Sequence, residues 1–289
     1  MNSSICAIIV TFNRRNLLEE CINSIRKQST HCDIFVVNNS TDTTEEYLIE
    51  NKINHITTEK NVGGAGGFNL GIKEACARGY DYLWLMDDDC VPTFDALEHF
   101  LDADRVLDSK YGFLASKVIW TDGNLHAMNK VHCIKEVSES IYEIKQATFV
   151  SMFVKTDVIK KIGLPIKEFF IWGDDIEFTR RIAVRNSIKS YYVDNSIVLH
   201  KTKNNIGSKI AFDDINNIDK YYYAYRNEAY LYRQEKIRGK IYYYVKCIYN
   251  LFRIVFLSND NRGKRIRVLL KGVVEGNTFN PEIEYLPDE

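Results

Sequence analysis

The run Tyr82-Leu83-Trp84-Leu85-Met86-Asp87-Asp88-Asp89 sets large apolar residues directly against three consecutive carboxylates. A short, unbroken apolar run reads as a strand buried on both faces, as in parallel sheets covered by helices. Three adjacent acids at the end of such a strand repel one another unless a cation compensates. On an extended backbone, side chains two residues apart point the same way. Asp87 and Asp89 are therefore expected to share one ion, with Asp88 facing the other side. Hard oxygen ligands suit Mg2+ or Mn2+ bridging a diphosphate. The plainer reading is a solvated acidic turn ahead of Pro92.

Towards the N-terminus, residues 5–10, 33–37 and 55–57 read as further strands. A helical stripe of Leu17, Leu18, Cys21, Ile22 and Ile25 follows the first, with Asn16 and Glu19 as its expected capping pair. A second helix passes through Tyr47 and Leu48, and a third carries Leu70, Ile72, Ala75 and Cys76. Strand alternating with helix four times predicts an α/β fold: a mixed, mainly parallel sheet flanked by helices. Ligands in such sheets bind outside the carboxyl ends of the strands. Thr11-Phe12-Asn13-Arg14, Asn38-Asn39-Ser40-Thr41-Asp42 and the aspartate triplet all fall at such ends. Asn61-Val62-Gly63-Gly64-Ala65-Gly66-Gly67 precedes the third helix and is expected to turn backbone N–H groups towards a phosphate. It matches neither a Walker loop nor the dinucleotide fingerprint.

Towards the C-terminus, strands are expected at 113–119, 146–154 and 190–199, and a helix at 175–185. Beyond residue 210 the character changes. Tyrosines crowd 221–232 and 242–249, and between Arg233 and Lys271 stand eleven Lys or Arg against Glu235 and Asp260, a local balance of +9. This divides the chain into an α/β unit at 1–205 and an aromatic, basic helical extension at 206–289. Such a tail suits the surface of an anionic membrane, with homo-oligomer contact as its second use.

The 289-residue chain is 45% hydrophobic and 27% charged, ordinary for a globular protein. A net charge of −1 argues against wholesale nucleic-acid binding. Seven cysteines without metal-ligand spacing fit a reducing compartment. The start, Met1-Asn2-Ser3-Ser4, has neither a basic leader nor a cleavage site, and no stretch is apolar enough to span a bilayer. The expectation is a cytoplasmic protein, peripheral at the inner face of the cell membrane.

Five segments in order resemble glycosyltransferase family 2, the large inverting family with the GT-A fold. They are Ile8-Ile9-Val10-Thr11-Phe12-Asn13-Arg14, the Asn38 to Asp42 turn, the aspartate triplet, Phe170-Ile171-Trp172-Gly173-Asp174-Asp175-Ile176-Glu177, and His200 after an apolar strand. The resemblance covers roughly the first 200 residues. It implies that Thr11, Phe12, Arg14, Asn38, Asp42 and Asp88 bind the nucleotide sugar, although members usually carry Asp where this chain has Asn38. Asp87, Asp89 and His200 would hold Mn2+ or Mg2+. Asp175 would be the general base, with Asp174 orienting sugar or acceptor. Trp172 and Glu177 would contact the acceptor, Glu177 also reading as a helix N-terminal charge.

Gly63-Gly64-Ala65-Gly66-Gly67-Phe68 resembles a segment of the family's galactofuranosyltransferases, which adds Asn61, Gly63, Gly64, Gly66 and Gly67 to the donor site and leans towards UDP-galactofuranose over dTDP-rhamnose. Tyr222-Tyr223-Ala224-Tyr225-Arg226-Asn227 resembles an element of polysaccharide-synthesising members, with Arg226 suited to a diphosphate. The acceptor would be a glycan or a lipid-linked oligosaccharide. Two readings of other classes compete. A nucleotidyltransferase would carry a glycine-rich loop after the first strand, where this chain has Thr11 to Arg14. A sugar-binding module would not need two acidic clusters.

Overall fold

The computed structural model describes residues 4–287. The opening residues 1–3, on which the leaderless reading partly rests, lie outside the described residues. The chain runs β1 (Ile5–Thr11), α1 (Arg15–Arg26), β2 (Asp33–Asn38), α2 (Thr44–Glu50), β3 (Asn54–Thr57), α3 (Gly63–Ala77) and β4 (Tyr82–Asp87). There follow β5 (Cys90–Pro92), α4 (Ala96–Val106), β6 (Phe113–Ile119), β7 (Lys135–Ser138), β8 (Ile141–Ile144), β9 (Met152–Lys155), α5 (Thr156–Ile162) and α6 (Asp174–Arg180). Then come β10 (Ser190–His200), α7 (Tyr221–Arg233), α8 (Lys236–Leu257) and α9 (Arg262–Thr278).

One sheet orders these strands β3-β2-β1-β4-β9-β6-β10-β8-β7, with β5 on β10. β3, β2, β1 and β4 are mutually parallel, and β6 pairs parallel with β10. β9 runs antiparallel between β4 and β6. The period of two explains the layers. Ala7, Ile9, Trp84 and Met86 pack beneath Leu18, Ile22 and Phe100 of α1 and α4. Ile8, Val10, Leu83 and Leu85 pack on the other face, with Phe68 and Ile72 of α3 and with Phe178 of α6. Each such side chain, fully buried, contributes about 1.5–3 kcal/mol.

Several expectations are corrected. The strand expected at 146–154 is a short 3-10 turn, Phe149–Ser151, followed by β9. The helix at 175–185 is α6 continued by a π turn over Arg181–Arg185. Asn16 caps nothing: Arg14 occupies the N-cap, and Glu19 pairs with Arg15 at 2.9 Å. β4 stops at Asp87, and Asp88 and Asp89 form a turn from which β5 returns onto β10. Strand alternation therefore does not pair Asp87 with Asp89, because neither Asp88 nor Asp89 is on the strand.

The C-terminal helices share an aromatic core of their own around Tyr225, Tyr243, Cys247 and Leu269. They meet the sheet unit through Tyr230 and Phe279, which pack on Phe169. Among the described residues no helix is long and apolar enough to cross a membrane.

Candidate active site

The carboxyl ends of the parallel strands β1, β2, β4 and β10 carry Thr11, Asn38, Asp87 and His200 along one edge of the sheet. The buried Asp88 turns back to this edge. Its Oδ2 accepts from Thr11 Oγ1 at 2.7 Å and the Phe12 amide at 3.4 Å, and its Oδ1 faces Arg14 at 3.4 Å. Asp88 and Thr11 thus lock β4 to β1, and neither presents a free polar group to a ligand. Burial lifts Asp88 to about 6, against Arg14 and the Thr11 hydrogen bond. Phe12 is 44% exposed, open to a stacking partner.

β5 explains how Asp89 reaches His200. In the β5–β10 register Cys90 pairs with His200, and Asp89 Oδ1 lies 3.0 Å from His200 Nε2. Asn129 donates to Thr148, so its Oδ1 faces His200 Nδ1 at 2.9 Å and draws the ring proton to that side. Nε2 then offers a lone pair towards Asp89 Oδ1, which is buried without an aligned donor. Two lone pairs converging on one point fit a cation. Their 3.0 Å separation is also the edge of an octahedron with metal–ligand distances of about 2.1 Å. Burial works to raise Asp89; a proton on His200 Nε2, where no cation takes its place, and the Arg14 guanidinium at 2.8 Å hold it below the ordinary carboxylate value.

The ligand atoms of Asp89, Cys90 and His200 lie mutually within 4.8 Å, a group that does not take in Asp87. Burial pushes the Cys90 thiol well up, so it remains a protonated, soft group beside a hard-ligand site. Asp87 is raised well above its ordinary value by burial, then by the charges of Asp89, Asp88 and Asp175. That last influence puts Asp87 and Asp175 within electrostatic reach of each other.

Asp174 and Asp175 open α6 behind Gly173, a left-handed N-cap. Burial and the charge of Asp175 raise Asp174 well above its usual value. Burial lifts Asp175 to about 6, opposed by the Ile176 amide that it accepts at 2.7 Å. Asp175 is thus the member of the pair that ionises near neutral pH.

Three proposed contacts fail on geometry. Glu177 is fully buried and bonded to Arg181 at 2.9 Å and to Arg185, so no acceptor can reach it. Arg226 donates to the carbonyls of Glu168 at 2.6 Å and Phe169 at 3.2 Å beneath the Phe279 ring, and is not free for a diphosphate. The glycine segment is the first turns of α3 and not a loop. Gly63, at φ +74°, lies so close to Phe170 that a Cβ would fall 2.0 Å from its carbonyl oxygen, and a Cβ on Gly67 would strike Val10 at 2.4 Å. The amides of Val62, Gly63 and Ala65 are taken by Asn39, Asn61 and Phe170. Gly66 abuts Val62, and only Gly64 has open space around it. These glycines serve close packing where a phosphate cradle was expected.

Asn38 is likewise internal, accepting the Ser40 amide at 3.0 Å and donating to Thr57 at 3.3 Å. Asp42 accepts the Thr44 amide at the start of α2, at 3.0 Å. Trp172 stacks edge-on to Tyr221 and lines a cavity of about 620 Å3 with Ile210, Tyr225 and Tyr249.

Two residues with positioning roles escaped the sequence reading. One is Asn129, which orients His200. The other is Asn227, fully buried, whose Nδ2 donates to the carbonyls of Phe169 at 3.0 Å, Ile171 at 3.2 Å and Trp172 at 2.7 Å. Phe170 and Trp172, at φ +63° and +65°, are strained for side-chain-bearing residues. Asn227 therefore clamps the strained approach to Asp174 and Asp175. Its position directly after Arg226 was the one available signal.

Comparison with known proteins bears on the family and the fold. The glycosyl transferase family 2 model matches residues 6–147. Galactofuranosyltransferase GlfT1 of Mycolicibacterium smegmatis is 26% identical over 259 residues, covering 81% of this chain and 84% of that protein. Its Mycobacterium tuberculosis counterpart is 23% identical over 265 residues, with 82% and 85% covered. Among solved structures, S. aureus TarS aligns at a TM-score of 0.56 and 17% identity, over 96% of this chain and 44% of TarS. GalNAc-T7 with UDP, GalNAc and Mn2+ aligns at 0.59 and 14%, over 82% and 51%. The chain thus spans about half or less of these two proteins, and the likeness establishes the GT-A fold. Residues 6–147 are a glycosyl transferase family 2 domain, and the chain is a glycosyltransferase of that type with a GT-A sheet.

Proposed function

We propose that the chain is a metal-dependent, inverting galactofuranosyltransferase. It takes galactofuranose from UDP-galactofuranose to a hydroxyl of a glycan or lipid-linked oligosaccharide in cell-surface polysaccharide synthesis. The carrying observation is the Asp89–His200 pair at a strand end, with Asp87 beside Asp89 and within electrostatic reach of Asp175. The GlfT1 similarity supports the donor; the glycine segment, being packed, no longer adds to it. On this reading the chain acts in the cytoplasm at the inner face of the cell membrane.

Asp89 and His200, with Asp87 beside them, would hold Mn2+ or Mg2+, which when bound neutralises charge on the departing diphosphate. Phe12 and Arg14 border the donor side, with Thr11 and Asp88 fixing their backbone. Asp175 accepts the proton of the acceptor hydroxyl as its oxygen bonds to the anomeric carbon. The bond from that carbon to the UDP oxygen breaks, its electron pair leaves with UDP, and configuration inverts. Trp172 supplies an aromatic face to the acceptor.

Incubation with UDP-galactofuranose, UDP-galactose and dTDP-rhamnose, with and without Mn2+, tests the donor. UDP should be released from UDP-galactofuranose alone, and EDTA should stop it. Release of dTDP from dTDP-rhamnose would instead make the chain a rhamnosyltransferase. Asp89→Asn should weaken Mn2+-dependent UDP binding by roughly 10–100-fold in calorimetry, while leaving metal-free binding unchanged.

The pH dependence follows from Asp175. The base must be ionised, so turnover should rise tenfold per pH unit up to about 6 and level off above it. Stability runs the other way. A carboxyl raised in the fold binds its proton more tightly there, so its contribution is present at acid pH and is lost as pH climbs through about 6. A pH–rate profile at saturating donor, flat from pH 4 to 8, would remove Asp175 from the role.

A further inference from the structure

The helix α8 presents an unusual surface. It buries a stripe of Gly239, Tyr243, Cys247 and Ile254 against its neighbours. The opposite stripe is apolar and open: Ile241, Val245, Ile248 and Phe252 are 58%, 60%, 67% and 58% exposed. Tyr249 and Phe256, also exposed, widen that face beyond a two-position seam. The helix carries five cations, Lys236, Arg238, Lys240, Lys246 and Arg253, and no acid. Lys246 pairs with Glu228 at 2.6 Å, and among the described residues the other four are left for an outside partner.

These features choose among occupants. A second copy of α8 would set cations against cations with no carboxylate to answer them. An anionic lipid surface answers both properties at once, with apolar side chains at the acyl boundary and cations among headgroups. Tyr242, Val245 and Tyr249 also line the cavity that includes Trp172, two residues before Asp174. We propose that α8 lies in the plane of an anionic bilayer, seating the cavity at the surface so that a membrane-borne acceptor extends from it towards Asp175. The second half of this proposal rests on the lipid-linked acceptor reading given above.

Sedimentation with vesicles tests it, using phosphatidylcholine alone and phosphatidylcholine mixed with phosphatidylglycerol. The protein should pellet with the mixed vesicles and not with the neutral ones, and added salt should weaken the effect. The double variant Ile248→Glu, Phe252→Glu should lose about tenfold or more in vesicle affinity with an unchanged circular dichroism spectrum and melting temperature. Its turnover on a water-soluble glycan acceptor should match the parent, and turnover on a vesicle-borne acceptor should fall. A parent that stays in the supernatant, or a variant that pellets equally, overturns the proposal. So does a parent dimer in light scattering that the substitutions split. Absence of transfer to any acceptor would count against the proposed function instead, leaving the vesicle result to stand by itself.

Discussion

Replacing Asp175 by Asn should lower turnover by about two to four orders of magnitude, the usual worth of a positioned general base. The amide keeps the shape of the carboxylate but cannot take the acceptor proton. UDP affinity in Mn2+ should change little, because the donor side is built from β1, β4 and β10 and takes no ligand from α6. Measured together, kcat and the UDP dissociation constant separate this role from a structural one. A variant retaining most of its turnover would move the base elsewhere, Asp174 being the next acid to test. Asp174 is disfavoured in advance, since burial and its neighbour's charge raise it well above the ordinary carboxylate value.

The second large effect is expected at Asn227. Leucine there keeps the bulk and removes the donor that serves three carbonyls, at Phe169, Ile171 and Trp172. The Phe169 carbonyl keeps the Ile171 amide and Arg226 as donors, so the loss falls on Ile171 and Trp172. A buried carbonyl left without a partner costs about 1–3 kcal/mol, and the two are not additive. A net loss of about 3 kcal/mol, or roughly 6–12 °C in melting temperature, is the expected result. The positive φ values at Phe170 and Trp172 add to it, since strain of this kind persists only when its surroundings enforce it. Turnover should fall by roughly a hundredfold with misplacement of Asp175, while Mn2+-dependent UDP binding holds. Unchanged kcat in a destabilised variant would reduce Asn227 to a packing residue.

The first half of the chain was largely readable because β1 and β4 are almost wholly buried and α1 buries one stripe, so apolar pattern tracks structure. The segment 82–89 placed the aspartate triplet at a strand end, where it is. It misled about geometry, because the turn at Asp88 and Asp89 leads into a three-residue strand too short to have a period. Only the long-range pairing of Cys90 with His200 brings Asp89 to the imidazole.

Glu177 and Arg226 failed for a common reason. Charged residues near an acidic motif look available in a sequence, whereas Arg181, Arg185 and the carbonyls of the 168–169 turn had already engaged them. The glycines misled differently. Their spacing before a helix fits a phosphate loop equally well, and only the proximity of Val10 and Phe170 shows that the space beside them is filled.

The contact of Gly63 with Phe170 limits how specificity can be rebuilt by grafting. The start of α3 and the approach to α6 are more than a hundred positions apart, yet they touch backbone to backbone with no room for a methyl group. Transplanting the 61–67 segment from a relative with another donor preference would carry over a partner surface cut for a different 165–173 stretch. Chimaeras that exchange both segments together should fold, and those that exchange one should not.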